Sequence, residues 1–200
     1  MKVIRNVNET LKDDLALELQ KGSMLSIVAA DFSMYAFEAL RKELSEIEEL
    51  RFIFTDPTFI QKENSKKEKR EFYIPKINRE RRIYGTEFEV KLRNELNQKA
   101  IAKECAEWIK KKVTFKSNVG NKEITDRFIV LNDIAYYTVN SFTTVDLGCE
   151  QGNNMGVNIL KLESPASQAS IEQFAKLWRN EEELKDVTNN VISSISSAYN

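Results

Sequence analysis

Two short apolar runs constrain this chain more than any other feature. Met24–Ala30 (MLSIVAA) and Leu50–Thr55 (LRFIFT) lack the spacing of an amphipathic helix. Short unperiodic runs of this kind read as strands buried on both faces. Between them, Ser33 is placed to cap a helix that carries Phe37, Leu40 and Leu44 in register. Strand, helix and strand in that order imply a parallel βαβ unit. Asp56-Pro57 stops the second strand.

The remaining pattern extends this unit. Asn8 is expected to cap a helix with Leu11, Leu15 and Leu19 on one face, ended by Lys21-Gly22. Thr86-Glu87-Phe88-Glu89 reads as a capping box. It opens a long helix with Phe88, Leu92, Leu96, Ile101, Cys105, Trp108 and Ile109 inward. Val113–Ser117 is a predicted strand. Asp126–Leu131 and Ile134–Val139 are predicted strands around Asn132-Asp133, a two-residue hairpin signal. Val157–Lys161 is the last predicted strand. Ser164-Pro165 reads as a cap with proline at the first helical position, opening a helix with Ile171, Phe174, Ala175 and Trp178 on one face. Leu184, Val187, Val191, Ile195 and Ala198 mark a final helix. From Gln61 to Arg82 periodicity fails, and Pro75 interrupts a charged stretch that reads as a long loop. Helices alternate with strands and one hairpin, so the expected class is α/β, a mixed β-sheet flanked by helices.

Composition narrows function mainly through histidine. The 200 residues are 42% hydrophobic and 30% charged, which excludes a disordered tail, a collagen-like fibre and a low-complexity linker. There is no histidine, hence no Ser–His or Cys–His nucleophile pair and no imidazole base or metal ligand. Cys105 and Cys149 are too few for a disulfide framework or a zinc site. With no apolar signal segment in MKVIRNVNET and no run near the ~20 residues that span a bilayer, a reducing, cytoplasmic location without membrane contact is expected.

Charge is unevenly spread. The chain carries a net −1, yet Lys62–Lys112 holds 16 basic and 9 acidic residues, a surplus of seven that leaves the rest at −8. The densest part is Lys66, Lys67, Lys69 and Arg70, then Lys76, Arg79, Arg81 and Arg82, with Phe72, Tyr73 and Tyr84 interleaved. Basic residues beside aromatics suit phosphate contact and base stacking. The same composition also fits a solvated loop. Neither a G-x-x-x-x-G-K-[ST] nor a G-x-G-x-x-G motif occurs. Gly148, Gly152 and Gly156 fall in a polar loop. Glu89-Val90-Lys91 with Asp56 faintly suggests a metal nuclease, but Glu89 is already explained by the capping box.

The stretch Ile124–Gly148 resembles the active hairpin of the phospholipase D superfamily. That pattern runs His-x-Lys, four residues, Asp, a short strand, then Gly-Ser followed by Asn or Thr. Here Thr125 stands at the histidine, Arg127 at the lysine and Asn132 at the aspartate, with Asp133 one step late. Asn140-Ser141 falls at Gly-Ser, followed by Thr143-Thr144. In the superfamily the histidine attacks phosphorus; Thr125 has no accompanying base, so the catalytic pattern is degenerate. Met24–Leu44 followed by Leu50–Thr55 is similar to the opening of single-copy phospholipase D-like domains. The segments from Leu50 through Asn118 resemble the N-terminal region of bacterial superfamily-two helicases of the Swi/Snf type. The ending from Phe174 resembles the helical junction before their ATPase.

The resemblance implies one phospholipase D-like domain over 1–200, with a basic excursion at 61–85 and a helical junction at 165–200. It implies a domain without catalysis of its own that binds or positions DNA for a helicase, whose lobes follow in cis. No cofactor is expected in this segment; ATP and Mg belong to the helicase part of a longer parent. The nucleic-acid contacts expected are Lys66, Lys67, Lys69, Arg70, Arg79, Arg81, Arg82, Lys116 and Arg127. Arg127 and Lys116 are the remnant of a phosphodiester cleft. Thr125, Arg127 and Asn132 are expected to gather at one sheet edge or cleft. The alternative is a protein-interaction or homodimerisation module without nucleic-acid contact.

Overall fold

The computed structural model describes residues 1–57, 60–63, 70–73, 95–150 and 157–197. Its centre is the parallel ladder of β2 (Met24–Ala29), β3 (Glu49–Phe54) and β6 (Val113–Asn118). On the β2 side follow β7 (Phe128–Leu131), β8 (Ile134–Tyr137), β9 (Ile159–Leu162) and the edge strand β1 (Lys2–Ile4), all antiparallel to their neighbours. On the other side β10 (Leu184–Asp186) pairs antiparallel with β6. The eight strands run in the order β1-β9-β8-β7-β2-β3-β6-β10. A separate antiparallel ribbon joins β4 (Ile60–Glu63) to β5 (Arg70–Tyr73).

Strand alternation divides the apolar residues between two faces. On one face Leu25, Ile27, Leu50, Phe52, Phe54, Val113, Phe115, Ile129 and Leu131 join the main core. It is covered by α1 (Leu11–Glu18), α2 (Met34–Ala39), α4 (Glu95–Lys112) and α6 (Thr188–Ser196), with the short α3 (Arg41–Leu44) between α2 and β3. Phe52 and Phe115 lie 5.3 Å apart between ring centres, and Phe32 lies 5.1 Å from Phe115. Trp108 donates its indole N–H to the Leu44 carbonyl at 2.9 Å, locking α4 against α3. On the other face Val28, Ile53, Phe128 and Val130 pack with Phe174 of α5 (Gln168–Trp178). Trp178 there lies under two cations: the Lys116 ammonium is 4.2 Å and the Arg51 guanidinium 5.7 Å from its ring centre.

The α/β class and mixed sheet agree with the sequence pattern; several boundaries do not. Thr10, not Asn8, caps α1, its hydroxyl accepting from the Asp13 N–H at 3.1 Å. Ser33 caps α2 as expected, through the Tyr35 N–H. The helix expected at Ser164-Pro165 begins at Gln168. Leu184, assigned by its spacing to the last helix, instead opens β10, because its backbone completes the unpaired edge of β6. Part of the loop expected over Gln61–Arg82 is the β4–β5 ribbon. Phe88, Leu92 and the capping box at Thr86 lie outside the described residues.

An ionic cluster is buried beneath α1. Asp14 and Lys161 are both nearly inaccessible, with their charged atoms 2.9 Å apart. The Asp14 carboxylate also accepts from the Tyr136 hydroxyl at 2.6 Å and from the Lys2 ammonium at 3.0 Å. Lys161 donates to Glu18 at 2.8 Å. These contacts tie α1 to three strands, β1, β8 and β9. Removing one member leaves a buried charge uncompensated, so Asp14→Ala is expected to cost about 3–5 kcal/mol in urea unfolding. Burial pushes the Asp14 carboxyl up, but the hydrogen bonds from Tyr136, Lys161 and Lys2 outweigh it and hold it below its ordinary value. Burial opposes the Lys161 charge, and Glu18 and Asp14 raise it above the ordinary lysine value. Stability from Asp14 is therefore present above about pH 4 and lost as pH falls through its lowered native value. Stability from Lys161 is present below about pH 10 and lost as pH rises through its raised value. Asp14→Asn should flatten the acid limb of a stability-versus-pH series.

Candidate functional site

Open α/β sheets present side chains for binding at the carboxyl ends of their parallel strands. Here that rim follows Ala29, Phe54 and Asn118. Residues 140–142 run beside 30–33: the Ala30 N–H donates to the Asn140 carbonyl at 2.9 Å, and the Phe142 N–H to the Asp31 carbonyl at 2.9 Å. This brings the buried Ser141 hydroxyl to 2.9 Å from an Asp31 carboxylate oxygen, as donor. Beside β3, Thr55 is buried, and its hydroxyl has no hydrogen-bond partner among the described residues. Asn118 donates to the Thr55 carbonyl at 3.0 Å and to the Lys122 carbonyl at 2.9 Å, closing the β3–β6 end.

Arg127 places a cation at this rim. It immediately precedes β7, and its carbonyl accepts from the Val139 N–H at 3.0 Å. Its guanidinium reaches Asp56, just beyond β3, at 3.6 Å. Because β2 separates β7 from β3, this contact spans the carboxyl end of β2. The Arg127 side chain is 28% exposed, yet its Nε is buried with no acceptor among the described residues. Arginine offers five donors in a planar fork. At 3.6 Å, Asp56 is an ion-pair partner but too distant for a good hydrogen bond.

The other sequence-predicted residues are distributed differently. Thr125 is exposed in the irregular segment before β7. Its neighbour Asp126 accepts from Gln173 of α5 at 2.7 Å. Burial and a hydrogen bond to Asp126 push the Tyr137 phenol up to about 12. Asn132 is not in the cleft with Arg127. All of β7 lies between them, about 16 Å of extended chain. Asn132 occupies the hairpin turn with φ +52°, and its side-chain oxygen accepts from the Met24 N–H at 2.9 Å. It thus fixes the hairpin to the start of β2. Lys116 does not join Arg127 either: β3 and β2 separate their strands, and its ammonium donates to the Trp178 carbonyl at 2.9 Å. Arg70 lies in β5, whereas Lys66, Lys67, Lys69, Arg79, Arg81 and Arg82 lie outside the described residues. Sequence reading missed Asp31 and Asp56 as members of the rim. Their position just after a buried strand was the signal available.

No protein-family model matches the sequence, and no curated protein matches it. The structure is similar to that of phosphatidylserine synthase from Haemophilus influenzae, with a TM-score of 0.55 at 9% identity. The match covers 98% of this chain and 43% of that one, so the chain spans less than half of the synthase's length. At this identity the likeness establishes fold alone: a phospholipase D-like mixed sheet with flanking helices. Among the described residues, no helix is long and apolar enough to cross a membrane.

The Asn132 geometry separates stability from binding. Asn132→Ala places a β-carbon at positive φ and removes the bond to Met24, and should destabilise by about 1–3 kcal/mol. Asn132→Gly relieves the backbone component and should cost less. Thermal unfolding reads both.

Proposed function

We propose that this chain is a catalytically silent phospholipase D-like domain that holds a nucleic-acid backbone phosphate at Arg127. The observation carrying this reading is the Arg127 guanidinium, partly exposed on the carboxyl rim with its buried Nε lacking an acceptor among the described residues. A planar fork of donors suits phosphate oxygens, and a buried unsatisfied donor is costly unless a ligand meets it. Silence follows from the sequence, which has no histidine and carries threonine at the position of the attacking group. The basic stretch Lys66–Arg82 supplies further phosphate contacts, and the −8 balance outside Lys62–Lys112 turns the polyanion toward it. The domain positions DNA for an ATP-dependent helicase of the Swi/Snf type, whose lobes and Mg-ATP site follow in a longer chain. A P-loop and an Asp-Glu box in the downstream coding sequence would support that context; their absence would remove it.

A mobility-shift series with single- and double-stranded DNA across salt tests the binding. Arg127→Gln and the Lys66/Lys67/Lys69/Arg70→Ala variant should weaken binding on every sequence alike, because phosphate contacts carry no base information. The salt slope on duplex DNA should flatten by about 0.9 for each phosphate that a variant no longer neutralises. Unchanged affinity and slope in both variants, or a concentration-dependent dimer that binds no DNA, would overturn the reading. No hydrolysis of bis(p-nitrophenyl) phosphate or DNA is expected. Turnover that survives repurification and disappears in Thr125→Ala would contradict silence.

A further inference from the structure

We propose that Asp56 is a built-in competitor for the phosphate, its carboxylate occupying the Arg127 guanidinium until a ligand displaces it. The proposal rests on the phosphate reading of Arg127 and adds how that site is controlled. Three observations carry it. First, Asp56 lies beyond β3 and Arg127 before β7, so their contact crosses the carboxyl end of β2, the end at which open α/β sheets take ligands. Second, the 3.6 Å separation is looser than a charge-assisted hydrogen bond, which runs at about 2.7–2.9 Å. Third, Asp56 is 46% exposed, so its carboxylate can leave the guanidinium for solvent without being stranded in the interior.

The contact exchanges one anion for another on the same fork of donors. A single free phosphate gains little from that exchange, since it replaces a carboxylate already present. A strand with successive phosphates makes further contacts and releases counterions, so it can displace Asp56 where an isolated anion does so poorly. Asp56 therefore sets a threshold that favours a phosphodiester chain over small anions.

The test compares the intact chain with Asp56→Asn, Arg127→Gln and the double variant, using inorganic phosphate and a short fluorescent single-stranded oligonucleotide as probes. Asp133→Asn, with the same charge change at the opposite end of β7, controls for bulk electrostatics. Thermal unfolding verifies that each variant is folded; Asn matches Asp in shape at a half-exposed position. Asp56→Asn should tighten both probes by about two- to fivefold, the range of a partly exposed ion pair. The relative gain should be larger for inorganic phosphate. It should vanish when Arg127→Gln is also present and be absent in Asp133→Asn. Equal gains in Asp56→Asn and Asp133→Asn would overturn the proposal in favour of bulk charge. An unchanged or weakened affinity in Asp56→Asn, with Arg127→Gln still weakening binding, would overturn the competitor and leave the phosphate site standing. Absence of binding in every variant would overturn both.

Discussion

Burial of β2 and β3 on both faces governs the rest of the structure. A strand whose two sides are apolar must be covered twice, and parallel pairing with β3 and β6 requires crossovers that carry helices. The main face takes α1, α2, α4 and α6, while the opposite face takes α5. The carboxyl ends of the same strands then have to turn outward together. That turning gathers Asp31, Asp56 and Arg127 at one rim, although they are far apart in sequence. The candidate site is in this sense a by-product of how the core is covered.

The central strands were legible because their burial leaves an unbroken apolar run. Hairpin residues Asn132-Asp133 were legible because the turn needs a positive φ, which asparagine tolerates better than most residues. Edge strands left no comparable trace. In β1 only Ile4 is buried, and in β10 only Leu184, so pairing with β9 and β6 rather than composition decides their form. Cap positions slipped for another reason. Several residues near each start can accept an N–H, and local backbone geometry selects among them, Thr10 over Asn8 for α1. The resemblance grouped Arg127 with Asn132, because a linear motif does not show that an intervening strand separates its members. Asp56 was read as a strand stop and as a faint metal-nuclease acid, although the same position supplies the arginine's counter-charge.

Holding an anion asks less of a fold than cleaving a bond does. A strand end that presents an arginine to solvent can hold an anion without a nucleophile, since holding requires donors and charge while bond cleavage also requires proton transfer. The buried Asp14–Lys161 cluster lies away from that task. It joins α1 to the β1–β9–β8 side of the sheet, where neutral packing would leave α1 fewer directional restraints.

The two tryptophans sit on opposite sides of the sheet. Trp108 is enclosed in the main core with its indole N–H bonded to Leu44, whereas Trp178, the last residue of α5, packs on the opposite face beside two cations. With only two in the sequence, each is an optical reporter for one layer. Emission from a chain retaining only Trp178 follows the undocking of α5, and emission from one retaining only Trp108 follows collapse of the helical layer. The molecule thus carries, without labelling, the means to determine whether its two layers come apart in one step or in sequence.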